Sequence, residues 1–120
     1  MIECVADMRT YSVGSKMEKF IDMHSHILYG LDDGARDLET SMRMLRIAAK
    51  DGISEIILTQ HNKHAHRRNV PLSMAERIEK LEACLLEENL AMKLYSGSEL
   101  YYRSELPKEI EDGNASVLAG

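Results

Sequence analysis

The chain is predicted to fold as an α/β domain of three to four parallel strands with flanking helices, and three observations carry that prediction. Short apolar runs alternate along the sequence with longer segments that repeat at helical spacing. A strand, helix, strand, helix, strand order favours parallel pairing through right-handed crossovers. The central run, Ile56-Ile57-Leu58, is short and apolar enough for a strand buried on both faces.

Residues 1–16 show neither strand alternation nor helical period, so a disordered leader is expected there, with Met17 as a candidate start and residues 17–120 as the domain. Phe20 to Leu28 is the first predicted strand, followed by a Gly- and Asp-rich loop over Leu31 to Arg36. Asp37 is a candidate N-cap for a helix over Leu38 to Lys50, in which Leu38, Met42, Leu45 and Ala49 share one face; Asp51-Gly52 ends it. Ile53 to Thr59 is the second strand, and Gln60 to Pro71 a polar, basic loop. Ser73 and Glu76 form a capping box for a helix through Asn89, with Ile78, Leu81 and Leu85 facing inward. Ala91 to Ser96 is the third strand. Pro107 opens a short helix ending near Gly113, and Ala115 to Ala119 has the character of a further strand.

At 120 residues and 44% hydrophobic content the chain fits one modest globular domain. A net charge of −5 argues against a nucleic-acid footprint, which gathers basic residues on one face. Cys4 and Cys84 have no paired spacing, so both are expected to be reduced and structural. No run approaches the ~18 apolar residues of a membrane span, and the amino end lacks a signal-peptide core, so a cytoplasmic location without membrane insertion is expected.

The chemistry concentrates at the carboxyl ends of the strands, where α/β folds build their sites. His24 and His26 lie one residue apart on the first strand, so both rings leave the same face and can reach one ion. A lone pair of this kind is more often surface or packing; acidic groups and a further His at strand ends shift the balance to metal ligation. Asp22 is a candidate supporting partner. Asp32-Asp33-Gly34 follows on the loop, and because Asp-Gly is also a turn signature the residues alone leave turn and ligand open for Asp32. His61 ends the second run; a hydrogen-bonded loop histidine is the alternative for it. Glu99 follows Gly97, which lets the backbone aim the carboxylate, and a carboxylate can bridge two cations.

His64 and His66 are expected to be solvent-exposed, and Arg67 and Arg68 a solvated basic loop. Tyr101 and Tyr102 either pack or line the cleft. The eight methionines fall on predicted helices and at the amino end, where they fill core and form no metal-binding tract. Imidazole plus carboxylate without thiolate suits manganese, zinc or iron, and hydrolysis of a phosphoester is the natural chemistry of such a set.

The segments Phe20-Ile21-Asp22-Met23-His24-Ser25-His26-Ile27-Leu28, Leu31-Asp32-Asp33-Gly34-Ala35, Ile57-Leu58-Thr59-Gln60-His61 and Gly97-Ser98-Glu99-Leu100-Tyr101 resemble the polymerase-and-histidinol-phosphatase (PHP) superfamily. Within it they are most similar to the bacterial manganese-dependent tyrosine phosphatases of capsular and exopolysaccharide biosynthesis, from about Phe20 onward. The resemblance implies a distorted β/α barrel with up to three Mn²⁺ ions at the carboxyl ends of its strands. It implies that His24, His26 and Glu99 hold the first ion, that Glu99 bridges to the second, and that Asp33 and His61 help hold the third. It further implies a phosphotyrosine protein as substrate, namely the bacterial tyrosine kinase that controls polysaccharide assembly.

Gln60 stands where that branch often has proline or serine. A complete barrel needs about 250 residues, and the later family motifs, with two further histidine ligands, an Asp-x-His pair and substrate-binding arginines, have no counterpart. The chain is therefore expected to be the amino-terminal half of such an enzyme and to be weakly active or inactive by itself. Two alternatives stand beside this reading: a phosphatase for a small ester such as histidinol phosphate, and an inactive metal-binding fragment.

Overall fold

The structure, a computed structural model, describes residues 18–61 and 73–113. Among these residues three strands, β1 (Phe20–Ser25), β2 (Ile53–Leu58) and β3 (Lys93–Ser96), alternate with three helices, α1 (Leu38–Lys50), α2 (Met74–Glu87) and α3 (Leu106–Glu111). The sheet order is β1-β2-β3 and both pairings are parallel, as the alternating sequence pattern requires. The expected leader with Met17, Cys4, the loop residues His64, His66, Arg67 and Arg68, and the strand over Ala115 to Ala119 lie outside the described residues.

The helices start and stop where their caps dictate. Asp37 accepts the Thr40 N–H at the start of α1, and Ser73 and Glu76 complete the reciprocal capping box of α2. Gly52, at φ 88°, takes the left-handed turn that releases the chain from α1 into β2. Met42, Leu45 and Ala48 of α1 and Leu81 and Leu85 of α2 close over Ile56 and Leu58 of β2 and Leu94 of β3. Ala48 takes the inward position expected for Ala49, because its spacing from Met42 and Leu45 keeps it nearer the centre of the buried stripe.

Strand boundaries are tighter than the sequence indicates. β1 stops at Ser25, because from His26 the backbone turns its hydrogen bonds into a loop: Ala35 N–H donates to the His26 carbonyl at 3.0 Å and Gly30 N–H to the Ala35 carbonyl at 2.9 Å. Ile27 and Leu28, expected on the strand, instead fill the core beneath that loop. β3 begins at Lys93 and not Ala91, and α2 ends at Glu87, where Asn89 adopts a positive φ of 55°.

β2, the central strand, buries Ile56, Ile57 and Leu58; Ile56 and Leu58 belong to the core beneath the helices, and Ile57 lies outside that cluster. Among the described residues β1 lies at the edge of the sheet, and its Phe20, Ile21 and Met23 are more than half exposed. Asp22 pairs with Ile56 and Ser25 with Leu58, so β1 carries an extra residue at Met23 and His24, a bulge of the kind that re-aims side chains beside sites.

Candidate metal centre

Ser25 and Thr59 fix the ends of β1 and β2 together. Ser25 N–H donates to Thr59 Oγ1 at 2.9 Å, Thr59 N–H to the Ser25 carbonyl at 2.8 Å, and Ser25 Oγ to the Ile57 carbonyl at 2.9 Å. Ser25 is buried while its two histidine neighbours face the other way, which is the alternation of an extended chain. His24 and His26 are thereby carried out of the sheet on a clamped support.

Past β2 and β3 the parallel register persists to a single bridge between His61 and Glu99. Gln60 holds it: its side-chain amide donates to the Gly97 carbonyl at 2.7 Å, and its own carbonyl accepts the Glu99 N–H at 3.0 Å. Gln60 is buried, and the residue that stands where the similar branch often has proline or serine is a support of the Glu99 backbone.

The loop between β1 and α1 is organised by Asp32. Its Oδ2 accepts from His26 Nδ1 at 2.8 Å and from the His61 N–H at 2.9 Å, and its Oδ1 accepts the Gly34 N–H at 2.9 Å. Gly34 is obligatory there, since a Cβ would sit 2.1 Å from the His26 carbonyl oxygen. Arg77 of α2 secures the base of the loop, donating from Nε to the Tyr29 carbonyl at 2.9 Å with its guanidinium 5.5 Å from the Tyr29 ring centre.

Three donor atoms converge on this frame. His24 Nε2 and His26 Nε2 are 3.2 Å apart, and Glu99 Oε2 lies 3.1 Å from the first and 3.0 Å from the second. Donors at adjacent corners of a six-coordinate ion, with bonds of about 2.1 Å at right angles, are about 3 Å apart. Two imidazole nitrogens and a carboxylate oxygen in a near-equilateral triangle therefore fit one divalent cation.

A second set adjoins it. His61 Nε2 lies 3.3 Å from Asp33 Oδ1, and His61 Nδ1 is 3.7 Å from Glu99 Oε2, so Glu99 faces both sets. His26, Asp32, Asp33 and His61 form one group of atoms close enough to share an ion, and His24, His26 and Glu99 another. All five residues singled out from the sequence, His24, His26, Asp33, His61 and Glu99, thus meet at one end of the sheet. Asp22 accepts the His24 backbone N–H at 3.1 Å, supporting the strand and not the ring.

Burial by itself lowers the His26 pKa, but the Asp32 hydrogen bond and the charges of Asp32, Glu99 and Asp33 outweigh it and hold the imidazole above its ordinary value. Burial conversely raises Asp32, and the bonds from His26, His61 and Gly34 overcome this, so its carboxyl titrates below the usual range. Tyr101 stacks on His61, with ring centres 5.5 Å apart and planes 20° from parallel, while Tyr102 is 93% exposed. Of the two tyrosines left open by the sequence, Tyr101 is the one that meets the site.

A family model for capsular polysaccharide synthesis proteins, CpsB/CapC, matches residues 20–120. The chain belongs to the CpsB/CapC family. It is 33% identical over 90 residues to the tyrosine-protein phosphatase YwqE of Bacillus subtilis, covering 75% of this chain and 35% of that protein. It is 27% identical over 101 residues to the putative tyrosine-protein phosphatase CapC of Staphylococcus aureus, covering 80% and 40%. With CpsB of Streptococcus pneumoniae, also named a tyrosine-protein phosphatase, it shares 26% over 98 residues, covering 82% and 40%.

Among solved structures, one from work on YwqE and CpsB, described as unique metal-dependent tyrosine phosphatases, matches with a TM-score of 0.75 and 31% identity. That match covers 83% of this chain and 40% of the solved one. The chain thus spans between 35% and 40% of the length of the family members it matches. Among the described residues no helix is long and apolar enough to cross a membrane. Cys84 is a free, half-buried thiol.

Four of these supports differ in how far the sequence signals them. Ser25 was discoverable as the inward residue between two outward histidines. Gln60, Gly34 and Arg77 carried no such signal, because their roles depend on which distant carbonyl comes to meet them.

Proposed function

We propose that this chain supplies metal-binding residues to a protein-tyrosine phosphatase that uses Mn²⁺, acting in the cytoplasm on phosphotyrosine of a kinase governing polysaccharide assembly. The observation that carries the reading is the triangle of His24 Nε2, His26 Nε2 and Glu99 Oε2, with sides of 3.0 to 3.2 Å. The names of the CpsB/CapC relatives support the substrate class, and the acid and imidazole donors without thiolate suit manganese. A cation bound there would polarise a phosphoryl oxygen and lower the pKa of water toward neutrality.

The residues of this chain do the rest of the work that can be assigned to it. Glu99 and Asp33 supply the negative charge that attracts the cations, while His24, His26 and His61 supply neutral nitrogen donors. Tyr101 presents an aromatic face next to His61, which suits the phenol ring of a phosphotyrosyl ester. Five ligands fill only part of the shells of a three-ion cluster, so turnover by the 120 residues is expected to be weak.

The test is phosphate release from a phosphotyrosyl peptide and from histidinol phosphate, with and without Mn²⁺, alongside the double substitution His24→Ala and His26→Ala. Mn²⁺-dependent release favouring the peptide and lost in the double variant is expected. Release that is independent of Mn²⁺ or unaffected by the double substitution overturns the proposal, and preference for histidinol phosphate redirects it to a small-ester phosphatase.

A further inference from the structure

Asp32 belongs by distance to the group of residues able to share an ion, yet its carboxylate is already committed. Its side chain is fully buried, and three N–H donors surround it: His26 Nδ1 and the His61 N–H at Oδ2, and the Gly34 N–H at Oδ1. An oxygen offers two lone pairs in the plane of the carboxylate, so Oδ2 has none left in that plane for a cation. Coordination by Oδ2 would require giving up His26 or His61.

The same bonds have a chemical consequence for His26. A neutral imidazole carries one proton, and the nitrogen that bears it is selected by the partner of that nitrogen. An ionised carboxylate accepts and never donates, so at 2.8 Å it selects the form with the proton on Nδ1. The lone pair then lies on Nε2, the atom facing His24 and Glu99. Opposite tautomerism would put a hydrogen into the middle of the triangle.

Resting on the metal reading above, we propose that Asp32 is a positioning residue: its buried carboxylate fixes the proton of His26 on Nδ1 and tethers the His61 backbone. The ends of β1 and β2 are thereby held with their donor atoms turned to the cations. One side chain links a histidine of the first donor set to the backbone of a histidine in the second. Removing an outer partner of this kind typically weakens metal binding about 10- to 100-fold.

The experiment uses the 120-residue chain and its Asp32→Ala and Asp32→Asn variants. Nitrogen NMR of histidine-labelled, metal-free protein at alkaline pH reads the tautomer of His26, and Mn²⁺ titration reads the number and affinity of bound ions. In the parent chain His26 is expected as the Nδ1–H form. In Asp32→Ala that preference is lost and Mn²⁺ affinity falls about 10- to 100-fold at an unchanged number of ions. Asp32→Asn, whose amide oxygen can still accept from His26, recovers part of both.

Finding His26 in the Nε2–H form in the parent chain overturns the proposal without reference to any variant, as does Mn²⁺ affinity in Asp32→Ala within twofold of the parent. Loss of a bound ion at undiminished affinity of the others would make Asp32 a ligand and likewise overturn it. A parent chain with the Nδ1–H form but no Mn²⁺ uptake counts against the proposed phosphatase and supports the Asp32–His26 lock.

Discussion

His61 and Glu99, 38 positions apart in the chain, face each other across a single parallel bridge beyond the ends of β2 and β3. Their juxtaposition follows from register: Leu58 pairs with Ser96, and the same alignment carried onward brings His61 to Glu99. Because Glu99 Oε2 also reaches His24 and His26, the bridge connects the two donor sets through one carboxylate. Glu99→Gln keeps the shape and removes the charge. Calorimetric titration should show Mn²⁺ affinity reduced beyond the roughly 100-fold upper range of outer-partner substitutions.

Gln60→Ala removes the amide that donates to the buried Gly97 carbonyl. A stability loss of about 1–3 kcal/mol is expected in denaturant unfolding. Because the Glu99 N–H bond to the Gln60 carbonyl is a backbone bond and survives, Mn²⁺ affinity should fall by less than in Glu99→Gln.

Gly34→Ala places a methyl group against the His26 carbonyl oxygen and Cβ, at 2.1 and 2.4 Å. Backbone cannot yield as a flexible side chain does. The loop must shift, at a cost of about 1–3 kcal/mol or more, and the thermal midpoint should drop together with Mn²⁺ uptake.

On the proposed metal reading a proton and a cation compete for His26, and the direction of each shift fixes the pH dependence. His26 is held above its ordinary 6.5, so in metal-free protein its charged form contributes stability below that pH, lost as pH rises through the raised value. Asp32 is held below its ordinary 3.8, so it contributes above that pH and its contribution is lost as pH falls through the lowered value. With EDTA present, this pair should therefore stabilise the fold most between about pH 4 and 6.5. Mn²⁺ requires the neutral ring. The rise in melting temperature that Mn²⁺ produces should grow as pH rises through the His26 value, and a flat Mn²⁺ effect would contradict the assignment of His26 as a ligand.

Leu45 is fully buried between α1 and the sheet. Leu45→Ala should cost about 2–5 kcal/mol in equilibrium unfolding. A near-neutral result would mean that the helix does not pack as described.

The elements were legible because each has a local cause. Asp37, Ser73 and Glu76 mark the helix starts by side-chain capping, and the run Ile56 to Leu58 excludes an exposed strand. The end of β1 was less so. Ile27 and Leu28 have strand-like side chains, but the His26 carbonyl bonds to Ala35 and ends the ladder.

The convergence of His24, His26, Asp33, His61 and Glu99 could be anticipated from one-dimensional order because parallel strands deliver their carboxyl ends to one edge. The amino-acid order by itself thus determined which elements form, how they alternate and which side chains are chemically able to hold a cation, since capping, periodicity and donor type are properties of a residue and its near neighbours. Tertiary structure alone decided that Asp32 turns inward to three N–H groups while Asp33 turns outward to His61, and that Gln60 seats Glu99. Two adjacent aspartates are chemically alike along the chain; only the N–H groups that folding brings to one of them set their roles apart.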